Sequence, residues 1–178
     1  MRTAVAALYT LLLLSSLHAQ DLSFALENNP AQRKRLALLQ GATTPPALDL
    51  TGWQNSAPLV LEKLKGKIVV LEFWSTGCDT CIASIPYHNQ IFEKYKGRVV
   101  FIGICQSYGS DKLNDVIKTH AIKYPVAIDS TGKTTKAYAA KGFPDYYIID
   151  KKGTLAAADC ANDKVVDAID VLLKKVIR

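Results

Sequence analysis

Two stretches of the chain are apolar almost without a break: residues 68–74 (Ile-Val-Val-Leu-Glu-Phe-Trp) and 99–104 (Val-Val-Phe-Ile-Gly-Ile). Runs of this length suit strands buried on both faces, as in a parallel sheet covered by helices. Between them, Ile82, Ile85, Ile91, Phe92 and Tyr95 recur at helical spacing within 78–95, which predicts a helix with one apolar stripe. Pro86 lies inside that helix and should kink it. Because a helix joins them, the two strands should be parallel. Downstream, the pattern predicts a helix over 111–120 capped by Ser110, a strand over 125–128 and a helix over 131–140. A hairpin of strands 146–149 and 154–158 follows, turning at Asp150-Lys151-Lys152-Gly153. A last helix from Asn162-Asp163 turns Val165, Val166, Ile169, Leu172, Leu173 and Val176 inward. Upstream, Leu48, Leu50, Trp53, Leu59 and Leu61 surround Gly52 and Asn55-Ser56, so 47–61 reads as a hairpin. Residues 21–40 form a short helix or a loosely held arm, and 41–46 are loop punctuation. The expected fold class is therefore α/β: a central mixed sheet flanked by helices, with an N-terminal β-hairpin extension.

Length and composition add organisation. A chain of 178 residues, 49% apolar and 21% charged, holds one ordinary domain plus a short appendage and is not disordered. Arg2 followed by an apolar run and small residues up to Leu17-His18-Ala19 is the pattern of a secretory leader cut after Ala19. The alternative is an uncleaved membrane anchor, although the run is short for a span. The expected organisation is a leader over 1–19, an arm over 20–43 and a folded domain over 44–178. The chain is then periplasmic or otherwise exported, where disulfides persist. The net charge of +6 comes without a Lys/Arg cluster longer than Arg33-Lys34-Arg35, which argues against a nucleic-acid partner. Four cysteines do not make a disulfide-stapled miniprotein, since the apolar content fills a core without staples.

The chemistry is expected where the first buried strand ends, at Trp74-Ser75-Thr76-Gly77-Cys78-Asp79-Thr80-Cys81. Two cysteines three residues apart at a helix opening share one helix edge, within bonding reach. Cys78 falls in the first turn, where free backbone N–H groups and the helix dipole favour a thiolate, the attacking form in thiol–disulfide exchange. Cys81 should be more buried and act second, resolving the mixed disulfide. An inert disulfide is a poor reading, because so short a loop constrains the unfolded chain little. A metal site needs further ligands, and no second C-x-x-C or close His pair appears. Glu72 interrupts the apolar strand. Burial should raise its pKa, and beneath the cysteines it would take a proton from Cys81; the alternative is that it reaches water or pairs with a Lys. Cys105 and Cys160 read as small buried fillers, unpaired. His88, on the Cys81 face of the helix, is the remaining candidate for a base or metal ligand.

These residues resemble a known family. Pro45-Pro46-Ala47-Leu48, Leu64-Lys65-Gly66-Lys67, Phe73-Trp74, Cys78-Asp79-Thr80-Cys81, Pro86, Gly142-Phe143-Pro144 and Ile148-Ile149-Asp150 with Gly153 are similar to the exported TlpA/ResA-like thiol–disulfide oxidoreductases of thioredoxin fold, over about residues 44–178. The resemblance implies that Cys78 is the nucleophile, Cys81 the resolving thiol and the pair a redox-active disulfide. It implies that Pro144 is cis against the pair, that Trp74, Gly77, Phe143 and Pro144 form the client surface, and that Glu72 is the buried acid. Gly77 stands where the family usually has Trp, Asp79-Thr80 where Gly-Pro or Glu-Pro is common, and Ser84 where several members have Glu. An acid beside Cys78 disfavours its thiolate and makes a more reducing couple. The expected activity is protein-disulfide reduction, with cytochrome c maturation as a candidate setting. It requires no cofactor or metal. Expected partners are client proteins with disulfides and an outside dithiol donor, membrane-bound or not, with no nucleic acid, and the chain is expected to be a monomer. Two other functions fit the same residues: a thiol peroxidase on this fold, and a non-enzymatic copper- or zinc-binding protein using Cys78, Cys81 and His88.

Overall fold

The two unbroken apolar runs become the middle of a six-stranded sheet. In the computed structural model, which describes residues 21–174, they are β2 (Ile68–Trp74) and β3 (Val99–Gln106). All of β2 is buried, and it pairs in parallel with β3 from Ile68↔Val99 to Trp74↔Cys105. The chain also forms β1 (Thr51–Gln54), β4 (Val126–Asp129), β5 (Asp145–Ile149) and β6 (Leu155–Cys160), in the spatial order β1-β4-β3-β2-β5-β6. β4 is parallel to β3, while β1, β5 and β6 run antiparallel to their neighbours. The expected leader, 1–19, lies outside the described residues. Among those described, no helix is long and apolar enough to cross a membrane.

Side-chain alternation along β2 divides the interior in two. Ile68, Val70 and Trp74 face one cluster, together with Cys81, Ile85 and Ile91 of α2 (Asp79–Lys94) and Ile169 of α5 (Val165–Leu173). Val69, Leu71 and Phe73 face the other, with Leu36 of α1 (Pro30–Leu36) and Tyr138 at the end of α4 (Lys133–Ala137). There Phe73, Tyr138 and Tyr147 pack ring against ring, with centroids 5.3–5.6 Å apart. Glu72, even-numbered like Val70 and Trp74, is thereby turned toward α2. Helix α2 runs unbroken through Pro86.

Three local expectations are corrected. The hairpin expected over 47–61 is not formed. Thr51–Gln54 pairs with β4 instead, and Asn55, at a φ of 62°, donates from its side chain to the Ile122 and Tyr124 carbonyls at 2.8 and 3.0 Å. Residues Leu61–Leu64 then form a 3₁₀ turn. Alternating apolar residues signal a half-buried segment, but they do not say which edge it joins. Ser110 caps no helix with its side chain; it opens the 3₁₀ turn Ser110–Lys112, which leads into α3 (Leu113–Thr119). Helix 131–140 shrinks to α4, whose start is held by Asp129 accepting from the Thr134 and Thr135 backbone N–H groups at 3.3 and 2.7 Å.

The arm is part of the packed structure. Leu22, Ala25 and Leu36 are buried. Backbone bonds tie the arm to β6: Glu27 N–H to Asp159 O at 3.0 Å, Gly41 N–H to Leu155 O at 2.8 Å and Leu155 N–H to Ala42 O at 2.9 Å. Arg33 adds an ion pair with Asp159 at 2.9 Å. The arm thus covers a sheet edge that would otherwise present unpaired backbone groups.

Candidate active site

Helix α2 starts one residue beyond Cys78, which is its N-cap: the Cys78 sulfur accepts a bond from the Cys81 backbone N–H at 3.2 Å. This is the place usually taken by a Ser or Asp oxygen, and it puts the sulfur among the unpaired donors of the first turn. Cys78 and Cys81 are joined in a disulfide, with their Cα atoms 5.2 Å apart. The pair is asymmetric. Cys81 is fully buried, whereas Cys78 is partly open to solvent. The Thr80 hydroxyl lies 3.2 Å from the Cys78 sulfur, and the Phe143 carbonyl oxygen lies 3.6 Å from it on the facing loop. The Phe143–Pro144 bond is cis. Behind the cysteines, the Thr76 hydroxyl donates to Gly109 O at 2.7 Å. A Cβ at Gly109 would meet that hydroxyl at 2.6 Å, and the residue's φ of +78° also favours glycine. Ser84 donates to Thr80 O one turn back at 2.8 Å.

The loop carrying Pro144 is closed by a residue that the sequence reading did not single out. Asp145 accepts from the Lys141 backbone N–H at 3.0 Å, tying together the two ends of 141–145. Its carboxyl is buried, and its Oδ1 has no hydrogen-bond partner. Burial first, and the neighbouring Asp159 carboxylate second, push Asp145 up to about 8.

Glu72 neither reaches water nor meets a Lys. It is 1% exposed, and its Oε1 lies 3.3 Å from His88 Nδ1. Burial raises Glu72 well above the ordinary carboxyl range, against a smaller lowering by the Tyr124 hydroxyl, and burial brings His88 down to about 4. Both shifts favour the neutral pair. His88 is therefore committed to the core beneath the helix and is not free to join Cys78 and Cys81 around a metal ion. Its position on the Cys81 face, a polar residue in an apolar stripe, was the sequence signal for this contact.

Trp74, expected at the client surface, is 1% exposed. Its indole fills the first cluster across from Gly103, where an added Cβ would come within 3.1 Å of Trp74 Nε1 and of the Tyr124 ring. Strand alternation thus gives Trp74 a place in the core and leaves no face for a client. Gly77 is exposed, and Phe143 and Pro144 are half-buried beside Cys78.

Cys105 and Cys160 are free and buried, and desolvation pushes each thiol up to about 12. They carry almost no thiolate at neutral pH. After reduction at pH 7.5, iodoacetamide is therefore expected to label Cys78 rapidly and these two only on unfolding. Peptide mapping reads this, and equal labelling of Cys105 in the native protein would contradict the packing.

A central sheet with a cysteine pair joined at a helix start against a cis-proline loop defines a thiol–disulfide oxidoreductase of thioredoxin fold. Solved structures of the same shape include a thioredoxin-like superfamily protein, at a TM-score of 0.66 with 26% identity over 75% of this chain and 98% of that one. A thiol-disulfide isomerase from Corynebacterium glutamicum aligns at a TM-score of 0.61 with 26% identity, over 73% of this chain and 97% of that one. Residues 39–172 match the Redoxin family, and the chain belongs to it as a TlpA/ResA-like member. Among curated relatives, a thiol-disulfide oxidoreductase ResA of Bacillus cereus is 32% identical over 69% of both chains. That of Bacillus thuringiensis (strain Al Hakam) is 29% identical over 82% of both.

Proposed function

We propose that this oxidoreductase works as a protein-disulfide reductase in the periplasm or another exported compartment. The carrying observation is the asymmetry of the pair: one sulfur within reach of a visitor at the helix start, its partner sealed behind it. In the cycle, the Cys78 thiolate attacks a client disulfide. A Cys78–client bond forms, and one client sulfur leaves as a thiolate. Cys81 then loses its proton, attacks the Cys78 sulfur and releases the second client thiolate. Two electrons pass to the client, and the enzyme is left with the Cys78–Cys81 disulfide. An outside dithiol donor restores the reduced form. Glu72 serves as the acceptor of the Cys81 proton. Gly77 and the backbone beside Phe143 and Pro144 receive the client as an extended strand. The leader pattern supports export, and the family resemblance supports apocytochrome c cysteines as a client class.

Cys81→Ser stops the cycle after the first attack, so it should accumulate covalent client complexes in cells while Cys78→Ser does not. Absence of complexes with Cys81→Ser would sink the reading. Direction is tested by equilibrating the pair with glutathione: a potential of about −270 mV fits a reductant, whereas one of roughly −120 mV makes the protein an oxidant.

A further inference from the structure

A buried carboxyl that takes and returns a proton needs partners suited to both of its states. Glu72 is faced by His88 from α2, Tyr124 just ahead of β4, Tyr146 from β5 and Cys105 from β3. The two phenols and the thiol are each held neutral by burial, so no fixed charge balances the carboxylate. What faces it is an imidazole locked in a chain. Glu72 Oε1 lies 3.3 Å from His88 Nδ1, and His88 Nε2 lies 2.6 Å from the Tyr146 hydroxyl. The Tyr124 hydroxyl is 3.5 Å from Nδ1. The ring is stacked on Phe101 at 5.1 Å and walled edge-on by Tyr124 and Tyr146 at 5.9 and 5.6 Å. It has no room to turn.

A neutral imidazole offers one donor and one acceptor, one on each nitrogen. With Glu72 ionised, Nδ1–H donates to Oε1 and the Tyr146 O–H donates to Nε2. With Glu72 protonated on Oε2, which has no hydrogen-bond partner of its own, both of these bonds persist. One proton is gained or lost at Oε2, and the imidazole keeps its tautomer. We infer that His88 is the positioning residue that lets Glu72 exchange its proton inside the sealed core, holding Oε1 through its Nδ1–H and leaving Oε2 to the proton, with Tyr146 as its anchor. This rests on the reading of Glu72 as proton acceptor. In the fraction of molecules whose Glu72 is ionised, the Cys81 thiol proton passes to that carboxylate as Cys81 attacks. When the outside dithiol reduces the pair, that proton returns to the departing Cys81 thiolate.

In His88→Leu the ionised carboxyl loses its Nδ1–H donor. The Glu72 midpoint, followed by its ¹³C carboxyl shift in the reduced protein, is expected to rise by about one pH unit or more. The pH profile of mixed-disulfide resolution should move with it, so that this step slows about tenfold at pH 7. His88→Asn places an amide, able to donate or accept, where Nδ1 stood, and it should return the midpoint most of the way. Tyr146→Phe unhitches Nε2 and should move the midpoint upward by less. An unmoved midpoint in His88→Leu, or an equal shift in His88→Asn, overturns the inference. If His88→Leu does not fold, Tyr146→Phe decides in the same way: a rise supports it and an unchanged midpoint overturns it. The two readings fail separately. A wild-type protein that reduces no protein disulfide removes the proposed function, yet its carboxyl titration still tests the His88 pairing. An active wild type with an unmoved midpoint removes only the role of His88.

Discussion

Cys78→Ser is expected to lower the rate of disulfide reduction by about a thousandfold or more while leaving the fold intact. The reason lies in what the position asks of the side chain. Structurally it asks for an N-cap acceptor, now supplied by sulfur to the Cys81 N–H at 3.2 Å. Serine is among the best N-caps, so α2 should start as before. The lost disulfide closes a separation of three residues and contributes little through the unfolded chain. Chemically, the position asks for a thiolate that attacks sulfur, which an alcohol does not supply. No other thiol stands ready: Cys81, freed of its partner, is fully buried, and Cys105 and Cys160 are sealed and held up to about 12. Single-turnover reduction of a disulfide-bonded peptide, paired with a thermal melt, checks both halves. Activity within about tenfold of wild type would move the nucleophile elsewhere.

Asp145→Asn is expected to stabilise the protein by roughly 3 kcal/mol at pH 7. In the unfolded chain this carboxyl titrates near 4, as aspartates ordinarily do, whereas burial and Asp159 carry it up to about 8 in the fold. Between those values the folded protein holds a proton that the unfolded chain has released. Stability therefore falls as pH rises through this window, by up to about 1.4 kcal/mol per unit, and levels off above it. Asparagine removes the titration. Its side-chain oxygen, placed where Oδ2 stood, can still accept from the Lys141 N–H, and its amide N–H groups would face the Asp159 carboxylate. His88 contributes the opposite slope below its ordinary pKa, because burial holds it down to about 4. The useful quantity is therefore the difference between variant and wild type: near zero at pH 4, rising to a plateau above pH 8. Urea melts across pH 4–9 read it, and a difference independent of pH would show that Asp145 is ionised in the fold.

The fold was largely legible because its signals are local and repeated. The two unbroken apolar runs became β2 and β3, paired in parallel. The stripe from Ile82 to Tyr95 became α2, and the Asp150–Gly153 turn joined β5 to β6. What failed were segments whose partners are distant. Residues 47–61 alternate as a hairpin does, but the free edge of β4 captured four of them as β1. The arm, with no periodicity to mark it, is fixed by β6, a strand more than a hundred residues later.

The cysteine pair itself belongs to the sequence. Three-residue spacing at a helix start places both sulfurs on one edge, and the N-cap geometry follows from the backbone. The surroundings of the pair do not. Glu72 was visible as a carboxyl inside a hydrophobic strand, yet only the packing of α2 across β2 gave it an imidazole instead of water or a lysine. Asp145 became a buried, proton-holding clasp because β5 and β6 set it beside Asp159. Trp74 turned inward because strand alternation put it on the α2 face. Hydrogen-bond partners and desolvation are properties of three-dimensional neighbours, and linear spacing encodes them only where both partners lie on the same helix, strand or turn.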